Sequence, residues 1–157
     1  AWLKDLALLE QYGLSWDMRV PYWHLKEAAE VARGLPNMQI ILNHAGLPWD
    51  RSEKGLEIWR HGMEAVAACQ NVTTKVSFLL LPDEPWDDDQ NARIIRETIE
   101  IFGVDRSMFA SNYPVDRLGA SFDTIYSLFK RAVKDFSIED QRKLFAENAV
   151  RDYRIDA

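Results

Sequence analysis

The sequence predicts an α/β protein: four parallel β/α units, a leading helix and an extra C-terminal helix. Strand-like and amphipathic helical stretches alternate four times, the order that parallel strands joined by right-handed crossovers require. The run Met38-Gln39-Ile40-Ile41-Leu42 is close to continuously apolar, which suits a parallel strand covered on both faces. Glycine and proline fall at the joints, with Gly13, Pro21, Gly34, Pro36 and Gly103 each closing an element. Four such units make either a small open sheet or half of an eight-fold barrel. With no linker, repeat or low-complexity tract, residues 1–157 read as a single domain.

Residues 1–12 open in mid-helix, with Trp2, Leu3, Leu6, Leu9 and Tyr12 on one apolar face and Gly13 placed to stop it. No capping residue precedes Ala1, so the chain reads as cut from something longer. Leu14 to Val20 reads as a strand, with Ser15, Asp17 and Arg19 on one face and Leu14, Trp16, Met18 and Val20 on the other. A helix over 24–34 turns Leu25, Ala28, Ala29 and Ala32 inward. The second strand runs from Met38 to Gly46 and carries Asn43 and His44 at its end. Leu56 to Gln70 is a helix with Ile58, Trp59, Met63, Val66 and Ala67 inward, and Val72 to Leu80 is a strand in which Thr73, Lys75 and Ser77 share a face. Pro82 to Asp89 forms a turn and an acidic helix start, where carboxylates favour the helix dipole. That helix runs to Phe102. The fourth strand lies within Arg106–Ala110, and Pro114 forces the chain out of it. Helices follow over 121–134 and 138–151, the second capped by Ser137 with Asp140 completing an imperfect capping box.

Composition narrows the function classes. The net charge is −6 with no Lys/Arg run, so neither nucleic acid nor an anionic membrane surface is an expected partner. No apolar stretch is long enough to cross a bilayer. Cys69 is the single cysteine, which excludes an internal disulfide and a multi-cysteine metal site and fits a reducing cytoplasm. The six tryptophans are expected mainly in the core.

Chemistry is expected where parallel strands end, because their carboxyl ends share one rim. The first strand brings Asp17 and Arg19 there, the second Asn43 and His44, the third Lys75 and Ser77, the fourth Asn112 and Asp116. His44 stands out of the three histidines, since neutral imidazole can take a proton, donate to an oxyanion or bind a metal. Asp116 could act as a base or simply form the turn. Asn112 can only orient substrate or stabilise an oxyanion. Asp17 and Arg19, two apart on one face, are expected to pair with each other. Lys75 could meet a substrate carboxylate or end in an ion pair. One good histidine without His-x-His or a Cys pair assigns no metal ligand in this chain, and no glycine-rich phosphate loop is present.

These residues sit in blocks that resemble the carboxyl-terminal half of the amidohydrolase-2 family. The blocks are Gly13-Leu14-Ser15-Trp16-Asp17, Ile41-Leu42-Asn43-His44-Ala45-Gly46-Leu47-Pro48, Asn71-Val72-Thr73-Thr74-Lys75-Val76-Ser77, Phe102 through Asp116, and Leu144 through Arg154. The resemblance implies the C-terminal half of a (β/α)8 barrel and a hydrolase, lactonase-like, that opens a cyclic ester or related bond with activated water. His44 matches the family histidine of the sixth strand. Asn112 stands where many members carry an eighth-strand aspartate, and an amide cannot be a general base. Leu47 occupies the neighbourhood where related lactonases carry an arginine. A divalent metal such as zinc remains open for the full-length protein, with ligands upstream of this chain.

The resulting expectation is a small-molecule hydrolase in which His44 polarises the carbonyl or helps hold a metal, Asp116 accepts the water proton, and Asn112, Lys75 and Arg19 orient substrate. A half barrel would expose two strand edges and an apolar inner face, so a homo-oligomer or pairing with the missing barrel half is expected. The alternatives are a non-catalytic half-barrel module that binds a partner chain, and a decarboxylase of the same superfamily.

Overall fold

The computed structural model describes residues 2–81 and 83–155; Ala1, Pro82 and the last two residues of the expected domain lie outside them. A single sheet holds β1 (Trp16–Met18), β2 (Ile40–Leu42), β3 (Val72–Val76) and β4 (Ser107–Phe109) in the order β1-β2-β3-β4. Every pairing is parallel, with Trp16 beside Ile40, Ile40 beside Val72, and Thr74 beside Ser107. All four carboxyl ends therefore point to one rim. Among the described residues seven α-helices accompany the sheet: α1 (Trp2–Gln11), α2 (Leu25–Gly34), α3 (Glu53–Ala67), α4 (Asp88–Phe102), α5 (Phe122–Ala132), α6 (Ile138–Arg142) and α7 (Asn148–Tyr153).

Alternation along each strand sorts side chains to two faces. Met18, Ile40, Leu42, Val72, Val76 and Phe109 join the core shared with α2 to α5, where Trp59 and Phe129 are fully enclosed. Phe109 stacks on Phe129 with ring centroids 4.3 Å apart. The opposite, inner face carries Asp17, Ile41, Thr73, Lys75 and Met108. It is more polar than expected from the sequence, and its apolar members, Ile41 and Met108, are buried rather than bare.

The opposite rim is tied down by side chains that take up loop and helix-end carbonyls. Asn71 donates to Ala32, Leu35 and Met38. Arg106 reaches Ala67, Cys69 and Val72, and Asn148 reaches Val104 and Ser107. The helix caps follow the sequence closely. Gly13, at φ 64°, closes α1 with bonds from its own N–H to Glu10 and from Leu14 to Leu9, a Schellman motif. Asp87 caps α4, and Ser137 caps α6, where its hydroxyl bonds the Asp140 carboxylate as well as accepting the Asp140 N–H.

Several elements differ from expectation. The strands are three to five residues long, because the chain leaves the sheet as soon as it reaches the rim. The helix expected from Leu56 starts earlier, at Glu53 behind the Ser52 cap, and ends at Ala67; Ile58 faces solvent. Trp2 and Tyr12 of the expected α1 face are exposed, and α1 buries no residue fully. The helix expected over 138–151 contains a π-helical segment, Lys143–Glu147. Of the tryptophans, Trp59 is fully enclosed, Trp16 and Trp86 pack half-buried against the core, and Trp2 and Trp23 are more than half exposed. Among the described residues no helix is long and apolar enough to cross a membrane.

Candidate active site

Past Leu42 the backbone reverses its hand. His44 (φ 61°), Ala45 (φ 49°), Gly46 (φ 68°) and Leu47 (φ 52°) are all left-handed, and the Leu47 N–H closes the turn on the His44 carbonyl at 2.9 Å. For residues with a Cβ this conformation costs about 1–2 kcal/mol each. The turn persists because its surroundings hold it. The Trp59 indole N–H donates to the Ala45 carbonyl at 2.7 Å. A Cβ on Gly46 would lie 2.9 Å from the Met63 sulfur and 3.0 Å from the Leu25 methyls. Phe78 (φ 52°) after β3 and Asn112 (φ 53°) after β4 are left-handed too. Backbone strain held at three neighbouring strand ends is the kind that gathers at functional sites.

The turn sets the His44 ring beside Ser77, with Nδ1 2.8 Å from the serine Oγ. Ser77 is 2% exposed, and among the described residues its hydroxyl has no other acceptor. The assignment that leaves no buried donor unpaired has Ser77 donating to Nδ1, which puts the imidazole proton on Nε2. Burial first, then the charges of Lys75 and Arg19, push the His44 pKa down to about 4, against the opposing carboxylate of Asp17. The ring is thus a neutral N–H donor near pH 7, lying edge-on to Phe78 at 5.4 Å.

Asp17 and Arg19 do not pair with each other. Asp17 instead accepts from the Tyr153 hydroxyl at 2.7 Å and from the Lys75 ammonium at 3.4 Å, while Lys75 donates to the Tyr153 oxygen at 2.8 Å. The reason is geometric: side chains two apart on a strand run parallel, whereas a neighbouring element can meet one head-on. Arg19 is exposed and has no ion pair among the described residues. Beyond β4, the Asn112 carboxamide donates to Asp116 at 2.8 Å. Asp116 is 1% exposed; burial lifts its carboxyl above the usual range, opposed by hydrogen bonds from Asn112 and the Leu79 backbone.

The charges of Lys75, Arg19 and Asp17 all act on the His44 ring. Asn112 and Asp116 form a separate pair at the end of β4. Tyr153, which completes the Lys75 cluster, was not among the expected site residues. It lies 136 positions from Asp17, and no local pattern announces such a contact. Arg51 was missed as well: burial lowers its pKa to about 10, and its Nε and Nη1 are buried without a partner among the described residues. A groove of about 620 Å³ lies between the loops that follow β3 and β4, lined by Leu80, Asp83, Trp86, Leu118 and Gly119 among others. Among the described residues no three His, Cys, Asp or Glu side chains cluster, and the Ser77 contact on the His44 Nδ1 leaves Nε2 free.

Comparison with known proteins shows the family. The family model described as amidohydrolase matches residues 4–155. The uncharacterized protein y4mH of Sinorhizobium fredii is 40% identical over 154 residues, covering 98% of this chain and 52% of that protein. An L-fucono-1,5-lactonase of Burkholderia ambifaria is 30% identical, covering 99% of this chain and 57% of the relative. The crystal structure of an amidohydrolase from Burkholderia multivorans superposes with a TM-score of 0.92 at 25% identity, over 98% of this chain and 57% of that one. The chain thus spans about half the length of the relatives it matches, and its neighbours are (β/α)8 barrels.

Proposed function

The chain belongs to the amidohydrolase family, and on that footing we propose that the whole protein hydrolyses a lactone, of the sugar-acid class acted on by its L-fucono-1,5-lactonase relative. Water adds to the ring carbonyl, and the oxyanion that forms accepts the Nε2 proton of His44 as a hydrogen bond. Collapse breaks the ring C–O bond. The proton given up by the attacking water ends on the ring oxygen, and the product is a hydroxy acid. A preorganised donor aimed at a developing oxyanion contributes about 10²–10³ in rate, and a neutral imidazole donates without first losing a charge.

The observation that supports this most directly is the 2.8 Å contact of Ser77 with His44, which favours the Nε2–H tautomer. Lys75 and Arg19 orient the substrate oxygens, and Asn112 positions the attacking water. Asp116, its carboxylate committed to Asn112 and Leu79, holds the Asn112 carboxamide in place; the proton-acceptor role expected for it would need water to enter the turn. The free edges of β1 and β4 are where the remaining barrel would pair. No step is assigned to a metal.

The test is lactone hydrolysis by the full-length protein. His44→Ala should lower kcat about 10²–10³-fold. Ser77→Ala should lower it about tenfold, the usual scale for removing a partner that orients a catalytic or liganding histidine. Equal rates for wild type and His44→Ala would rule out His44-dependent catalysis, and no hydrolysis by either would favour the partner-binding alternative.

A further inference from the structure

The last helix is anchored at the amino ends of β4 and β1, on the far side of the sheet from the His44 rim. Asn148, at its start, is held by the carbonyls of Val104 and Ser107 beside β4. At its end, Ser15 just before β1 donates to the Asp152 carbonyl at 3.3 Å and accepts from Arg154 at 2.7 Å. Tyr153 lies between these anchors, where its hydroxyl meets both Lys75 and Asp17.

The directions of these bonds are fixed by chemistry. An ammonium can only donate and an ionised carboxylate only accept, so protons point from Lys75 to the Tyr153 oxygen and from that hydroxyl to Asp17. Lys75 spends a second N–H on Asp17, and its Nζ stands 5.3 Å from the centre of the Tyr153 ring. Two of its three N–H groups are thereby oriented. The third has no partner among the described residues.

We infer that Tyr153 is a positioning residue of the active site, holding the Lys75 ammonium so that its remaining N–H meets an oxygen of the substrate beside His44. Lys75 and the unpaired Arg19 then present two cationic donors to an oxygen-rich ring whose hydrolysis creates a carboxylate. Without the tyrosine oxygen the flexible lysine would swing among rotamers. This inference rests on the lactonase reading for its substrate, but the contact itself can be tested without one.

The experiment uses the full-length protein as wild type, Tyr153→Phe, Lys75→Met and the double variant. With L-fucono-1,5-lactone as probe, Tyr153→Phe should raise KM about tenfold, which corresponds to about 1.4 kcal/mol, with kcat within about twofold. In the Lys75→Met background the same change should have no further effect. The second readout is trace acetylation of lysines followed by mass spectrometry. Lys75 in Tyr153→Phe should react at least threefold faster than in wild type, with other lysines unchanged. Additive effects on KM, or unchanged Lys75 reactivity, overturn the inference. No hydrolysis by wild type together with a raised Lys75 reactivity would refute the lactonase reading while leaving the positioning of Lys75 intact.

Discussion

Gly46→Ala tests whether the reversed turn that presents His44 is held by packing. The substitution adds two separable costs. An alanine at φ 68° carries the left-handed penalty, about 1–2 kcal/mol. Its Cβ also falls 2.9 Å from the Met63 sulfur and 3.0 Å from both Leu25 methyls. Neither neighbour can retreat, because both are fully enclosed, and a Cβ on Gly62 would sit 2.6 Å from the Leu25 Cβ, so α3 already abuts that side chain. Overpacking of this kind costs about 1–3 kcal/mol. Gly13 provides the control, with φ 64° and open space around its Cβ position. The two variants share the conformational cost, so Gly46→Ala should lose about 1–3 kcal/mol more than Gly13→Ala. Urea unfolding of the full-length protein, read as the midpoint at constant m, measures that difference. Equal losses for the two variants would refute the packing account of the turn.

Asp116→Asn keeps an acceptor for Asn112 and removes the base. If Asp116 holds Asn112, kcat should fall less than tenfold; a loss beyond about 100-fold, the scale of general-base catalysis, would return the proton-acceptor role to Asp116. His44 also predicts a pH effect. Its pKa is pushed from 6.5 to about 4 in the fold, so between those values the unfolded chain binds a proton that the native state refuses. The stabilising contribution is therefore present above pH 6.5 and lost as pH falls towards 4. Between pH 7 and pH 4.5 wild type should lose about 2 kcal/mol more than His44→Asn, read as the difference in urea midpoints at the two pH values. Parallel losses would mean that His44 titrates normally.

What the sequence made legible was whatever is local or repetitive. Parallel alternation followed from the apolar run at Ile40-Ile41-Leu42, and the inward set Leu25, Ala28, Ala29 and Ala32 matched the buried residues of α2. His44 and Lys75 were expected near one another because polar groups at the ends of parallel strands converge, and the Lys75 charge does act on the His44 ring. The reversed turn was not legible, since three of its four residues are not glycine and only tertiary support from Trp59, Met63 and Leu25 stabilises it. Nor was the partner of Asp17. Nearness in sequence suggested Arg19, but the real partners are Lys75 and Tyr153, 58 and 136 residues away. The same holds for the π-helical segment before α7, for which no sequence signal was found.

The three left-handed residues at the strand ends bear on how this protein could be improved. Glycine would adopt the backbone angles of His44, Phe78 or Asn112 more comfortably, so a search that rewards heat resistance alone would be drawn to these positions. Each such gain would erase a side chain from the rim. On the mechanism proposed above, the positions easiest to stabilise are thus the ones least open to change, and a thermostability campaign scored without an activity assay would remove the chemistry first.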